Sequence, residues 1–200
     1  MGRPREHDET TRQELLAAAE KLLAERGLAA LSVREAADAI GTTTRAIYSV
    51  FGGRPGLLAA LYVRGFEVLG GLIDALPQTR DPKADLVDAG VLGFRRFAVE
   101  HPNLFRLTCE RMAPDWEPGP TEHAAAMQTF DKLRALVRRC KDAGLIGGRS
   151  TAEIAFQFHA FAQGLASVEL QGWLPDLDGE AFCRSGLERF VTGLVAVKRK

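Results

Sequence analysis

Five residues of one short segment, Thr42, Thr43, Thr44, Arg45 and Ser49, have side chains suited to reading base edges in the major groove of DNA. Arg45 alone among them can form a two-pronged hydrogen bond to guanine, while threonine methyls can touch thymine. Such groups act only when a rigid frame presents them, and residues 32–58 (SVREAADAIGTTTRAIYSVFGGRPGLL) supply one. Ser32 caps a first helix, with Glu35 at capping-box spacing. Ala36, Ala37 and Ile40 give that helix a small apolar face, and Gly41 closes it where a left-handed residue is wanted. Thr42 or Thr43 caps a second helix, on which Ile47, Tyr48 and Phe51 return to one side. A short helix, a glycine turn and a second helix with a small, polar, basic N-terminal half predict a helix-turn-helix that reads DNA. The helix starts at Ser32 and near Pro55 also offer backbone N–H groups to phosphates.

The segment resembles the N-terminal domain of the TetR (tetracycline-repressor) family of bacterial transcription regulators. The residues that carry the resemblance are Ser32, Ala36, Ala37, Ile40 and Gly41, then Ile47, Tyr48, Phe51, Arg54, Leu57 and Leu58. The Tyr-x-x-Phe-x-x-basic-x-x-Leu run from Tyr48 to Leu57 is its most diagnostic part. Val50 and the Pro55-Gly56 pair depart from the family's pattern, in which an aromatic or His and an acidic pair are common. The resemblance puts Tyr48 and Arg54 on the family's phosphate-contacting positions. The leader Gly2-Arg3-Pro4-Arg5 is similar to basic arms that enter an adjacent minor groove, which would add Arg3 and Arg5 to the contacts.

What the resemblance implies is an all-α chain of three parts: a DNA-binding domain over 1–54, a linking helix over 55–76, and a helical ligand-binding and dimerisation domain over 77–200. It implies a homodimeric repressor, released from palindromic double-stranded operator DNA by a small apolar or amphipathic effector, with no cofactor.

Composition bounds this reading without deciding it. The chain has 200 residues, 46% of them hydrophobic, which is ample for a packed core. The charged N-terminus lacks the apolar segment of a secretion signal, and no apolar run reads as a membrane span, so a cytoplasmic protein is expected. Net charge is +0, and residues 1–54 are themselves balanced, so electrostatics neither supports nor opposes a DNA-binding face. Cys109, Cys140 and Cys183 are widely spaced and form no CxxC pair, which suggests neither a disulfide framework nor a zinc knuckle.

Caps and breakers predict about nine helices. The first starts at Thr11, with Glu14 completing a capping box, and ends near Gly27; a fourth runs from Pro55 towards Pro77. Asp81-Pro82 opens a helix to about Glu100, and His101-Pro102 interrupts it before a short one. After the proline-rich loop 113–120 come three long helices, from about Thr121, Ser150 and Asp178. The second of these is nearly free of charge around most of its circumference, so it must be buried on more than one side. It and the last helix are candidates for a four-helix dimer interface, where TetR-like proteins place theirs: Phe156, Ala160, Gly164 and Ser167, with Phe190 and Leu194.

A second resemblance, to a TetR subgroup with His-Pro-x-Leu-Phe/Tyr-Arg-Leu and a polar-Gly-Leu-Ala-Ser-x-Glu-Leu run, lies in His101–Leu107 and Gln163–Leu170. Candidate pocket residues are Phe94, Phe97, Phe105, Met112, Trp116, Met127, Phe130, His159 and Gln163, mostly apolar walls with a few polar groups. A metal or redox sensor using His101, Cys109, His123, Cys140 or His159 ranks lower, because no two of these stand at ligand spacing on one helix. An enzyme ranks lower still: no nucleophile–base motif, phosphate-cradling glycine loop or carboxylate pair is visible.

Overall fold

Caps and breakers divide the chain into nine helices, with no strand, among the residues that the computed structural model describes: 4–39, 41–110, 113, 115–147, 150–174 and 176–194. They are α1 (Pro4–Arg26), α2 (Val33–Ala39), α3 (Thr44–Phe51), α4 (Arg54–Asp74), α5 (82–100), α6 (Pro102–Cys109), α7 (Pro120–Asp142), α8 (Thr151–Leu170) and α9 (Gly179–Gly193). A 3₁₀ turn, Leu28–Ala30, joins α1 to α2.

Most boundaries follow the capping chemistry. Asp81 accepts from the backbone of Lys83 and Ala84 at the start of α5, Ser150 from Glu153 at α8, and Asp178 from Ala181 at α9. The expected start of α1 at Thr11 is wrong: the helix already runs from Pro4, so Thr11 lies inside it. Proline suits a first helical turn, and no glycine or proline stands between Pro4 and Thr11 to break it. Arg5 is therefore on a helix rather than in an extended arm, and Arg3 lies outside the described residues.

α5 is one continuous helix whose middle, Ala89–Arg95, is π-helical, a feature the sequence did not signal. Two glycines in it remove side chains where neighbours press. A Cβ on Gly90 would overlap Leu187, and one on Gly93 would stand 3.0 Å from Ile73.

The chain divides into two compact units, residues 1–66 with 101–124 and residues 67–100 with 125–200. This cut differs from the division at 54 and 76 read from the sequence. The reason is α6, which docks on α1: Asn103 Nδ2 donates to the carbonyls of Leu23 (2.7 Å) and Ala24 (3.2 Å), satisfying the end of that helix. The first unit buries Leu15, Ala19 and Leu23 of α1 with Ile47, Leu57, Leu58 and Phe105. The second buries Phe97, Ile154, Phe158, Leu187 and Val191. Arg95 ties α5 to α8 by a two-pronged bond to Glu169 (2.7 and 2.6 Å).

α4 corrects another expectation. By length and composition it is apolar enough to cross a membrane, with mean hydropathy 1.5 over 18 residues. Leu57, Leu58 and Leu61 of this helix are fully buried inside the protein, as is 44% of that window.

Candidate nucleic-acid interface

The frame around Thr42–Ser49 forms as its residue types dictate. Ser32 Oγ accepts from the Glu35 backbone N–H at 3.1 Å and donates to the Glu35 carboxylate at 3.0 Å, fixing the start of α2. Ala36 and Ala37 are buried as expected, and Ile40 lies outside the described residues. Gly41 adopts φ 67°, so the Thr42 N–H turns back to the Ala37 carbonyl at 2.9 Å. Thr43 then caps α3, its hydroxyl accepting from the Ala46 N–H at 3.4 Å. That fixes which of the two threonines is the cap.

α3 is divided cleanly between two faces. Ile47 and Phe51 point into the first unit's core, and the Arg12 guanidinium of α1 sits 5.1 Å over the Phe51 ring. Thr44, Arg45, Tyr48 and Ser49 point outward, with Tyr48 59% exposed. Spacing i, i+1, i+4, i+5 makes one solvent-facing stripe. Arg45 forms no ion pair with a described residue, so its guanidinium is available to a partner.

The start of α4 locks the end of α3. A Cβ on Gly56 would overlap the Phe51 carbonyl oxygen, so this position takes glycine. Arg54 is more committed than its place in the family pattern implies. Its Nε donates to the Leu31 carbonyl at 3.0 Å and its Nη1 to Asp115 at 2.6 Å, leaving the side chain about one-third exposed. Asp115 and Asn103 are structural partners that sequence reading missed, because nothing in their local pattern marks a contact across many residues.

Among the expected pocket residues, Phe94, Phe130 and His159 stand together in the second unit. Trp116 lines a cavity of ≈ 390 Å³ in the first unit with Tyr62, Leu107, Thr108, Cys109, Ala113, Glu117, Pro118 and His123. A smaller cavity of ≈ 220 Å³ in the second unit lies by the Asp74–Lys132 and Asp85–Arg139 pairs. Phe94, Phe97, Phe105, Met127, Phe130, His159 and Gln163 line neither; Met112 lies outside the described residues. Phe97 and Phe105 are fully buried core, and Met127 is exposed. His159 is half-buried, edge-on to Phe94 (centroids 5.2 Å apart) and Phe130 (6.3 Å). Burial holds its pKa below the ordinary histidine value.

Of the expected dimer-interface residues, Phe156, Ala160 and Gly164 form an exposed strip on α8, and Ser167, Phe190 and Leu194 are half-buried. Phe156 stacks on Phe130 (4.3 Å) and Phe161 on Phe190 (5.5 Å). Among the described residues no three His, Cys, Asp or Glu side chains are grouped to hold a metal ion. Burial raises all three cysteine thiols to about 11.

A capped glycine turn, a buried inner face and an exposed polar-basic outer face define a helix-turn-helix protein. Residues 15–61 match the model of bacterial regulatory proteins of the tetR family, and residues 87–190 match a tetracyclin repressor-like C-terminal domain. The chain belongs to the TetR family of transcriptional regulators, proteins that are not enzymes. No curated protein sequence matches it. Solved structures share the fold. A protein of unknown function from Rhodococcus sp. RHA1 is 25% identical with TM-score 0.82, covering 93% of this chain and 96% of that one. The TetR family transcriptional regulator PfmR from Thermus thermophilus is 22% identical with TM-score 0.66, covering 91% and 99%. RolR, solved in complex with the ligand resorcinol, is 18% identical with TM-score 0.67, covering 92% and 88%.

Proposed function

We propose that this protein is a homodimeric repressor that holds a palindromic operator and lets go when a small molecule binds. The exposed stripe of α3 carries the reading: it offers a guanidinium, hydroxyls and methyls to base edges from a helix whose other face is fixed in the core. Thr42 and Thr44 sit at the groove-facing end with Arg45, while Thr43 divides its role between cap and contact. Tyr48 and Arg54 reach phosphates, Arg54 through Nη2 because its Nε and Nη1 are already bonded. Residues 1–54 act as the reading head, 55–76 as the link, and 77–200 as the pairing and sensing part. The work takes place in the cytoplasm, where the chromosome is.

Pairing through α8 and α9 would cover the apolar strip of Phe156, Ala160 and Gly164. Two heads would then stand about 34–36 Å apart, one turn of DNA. RolR binds resorcinol, a small phenol, and a ligand of comparable size is expected here. A ligand that binds the wide-spaced state more tightly shifts the population off the operator.

Selection of duplexes from a random pool, followed by sequencing, tests this. Enrichment of a palindrome whose binding weakens steeply with salt supports the reading. Failure to enrich any sequence overturns it.

A further inference from the structure

Arg54 stands at the edge of the outward stripe of α3. A Cβ on its neighbour Gly53 would lie 3.0 Å from the Tyr48 ring, so the exposed tyrosine and the first residue of α4 share one rim of the reading head. Arg54 Nε is held by the Leu31 carbonyl at 3.0 Å, which leaves the two Nη groups to meet other partners.

What meets Nη1 is an anion. Asp115 Oδ2 accepts from it at 2.6 Å, and the Asp115 side chain is 64% exposed. The loop is built to keep that carboxylate in place. The Trp116 N–H donates back to the carbonyl of buried Ala113 at 3.1 Å, closing a turn that contains Asp115. The Trp116 ring rests on Tyr62 of α4, with centroids 5.4 Å apart. An ion pair this exposed adds little to the fold. Its effect on DNA binding is larger, because a carboxylate oxygen and a phosphate oxygen bring the same charge to the same N–H donors. A phosphate must displace Asp115 from Nη1, or settle on Nη2 with a second anion beside it, well inside the screening length of about 8 Å at physiological salt. Either course lowers affinity. Displacement also frees a carboxylate that recruits a cation just as the phosphate sheds one.

The geometry points to Asp115 as an internal stand-in for a DNA phosphate, one that occupies Arg54 in the free protein and sets DNA affinity below what the reading head reaches without it. This rests on the DNA-binding reading above, in which Arg54 contacts a phosphate.

Fluorescence anisotropy on a labelled random-sequence duplex tests this without an operator in hand, since phosphate contacts are independent of sequence. Asp115→Asn keeps the side chain's shape and removes its charge. It is expected to bind about fivefold more tightly than wild type at 50 mM salt, with a log–log salt slope steeper by about 0.9, so that the advantage fades by about 300 mM. Asp115→Glu, which keeps the charge, should keep the wild-type slope. In an Arg54→Gln background, Asp115→Asn should gain less than about twofold, because the seat is gone. The melting temperature of Asp115→Asn should stay within about 4 °C of wild type. Equal or weaker binding by Asp115→Asn would make the residue a support for Arg54 and overturn the proposal. An unchanged salt slope, or an undiminished gain without Arg54, overturns it too. If random duplex binds but no palindrome can be selected, the operator reading fails while this comparison still decides Asp115. If no duplex binds at all, both fall.

Discussion

Asp85 and Arg139 bind each other through a fork that also encloses Thr79. The Asp85 carboxylate accepts from Arg139 Nη1 at 2.7 Å, from the Thr79 N–H at 2.9 Å and from the Thr79 hydroxyl at 2.7 Å, while Arg139 Nη2 donates to the Thr79 carbonyl at 3.0 Å. Burial alone would raise this carboxyl's pKa, but the hydrogen bonds of Thr79 and Arg139 outweigh it and the net direction is down. A depressed carboxylate stabilises the fold above its ordinary value of 3.8, and the contribution is lost as pH falls below that. Asp85→Asn should therefore cost about 2 kcal/mol at pH 7, in the range for a hydrogen-bonded charge, and flatten the acid limb of stability below pH 4. Chemical denaturation at pH 7 and pH 3 checks both.

His159 gives a second, separate pH window. Its pKa is lowered from 6.5 by burial among Phe94 and Phe130, so the folded state resists protonation that the unfolded chain accepts. Stability is full above pH 6.5 and declines as pH falls below it. His159→Gln should remove that decline between pH 7.5 and 5.5 in thermal melts; an unchanged slope would contradict the assignment.

Gly56 and Gly164 separate packing from pairing. Gly56→Ala must push the start of α4 off the Phe51 carbonyl, an overpacking that costs about 1–3 kcal/mol. It should lower both melting temperature and DNA affinity. At Gly164 a Cβ meets nothing within 4 Å, so Gly164→Arg should leave the melting temperature of the monomer's fold unchanged. If the α8 strip pairs two copies, the same change should yield monomers in analytical ultracentrifugation.

All three thiols, raised to about 11 by burial, are almost wholly protonated at pH 7.5. Native protein should react with Ellman's reagent far more slowly than a free thiol, and unfolded protein should expose all three within minutes. Fast labelling of one cysteine in the native state would reopen a redox role.

The reading head was largely legible because its logic is local. Caps at Ser32 and Thr43, the left-handed Gly41 and the buried pair Ile47 and Phe51 each follow from neighbours three or four residues away. What was missed is long-range. The grip of Asp115 on Arg54 spans 61 residues and that of Asn103 on Leu23 spans 80, and no local pattern records either. Aromatic side chains suit a core and a cavity equally, so no local pattern separates Phe97 and Phe105, which are buried core, from Trp116, which lines a cavity. The π segment of α5 had no local signal, and its Gly90 and Gly93 are pressed by Leu187, Phe158 and Ile73, all from other helices.

Arg45 tests the central claim most directly. Wild-type protein and Arg45→Ala should be put through the same duplex selection, and the selected palindrome titrated with each. The account predicts a loss of about 1–3 kcal/mol for the variant, with preference relaxed at one guanine in each half-site and kept elsewhere. Equal affinity and an identical selected sequence would contradict it, because α3 would then not be the element that reads the bases.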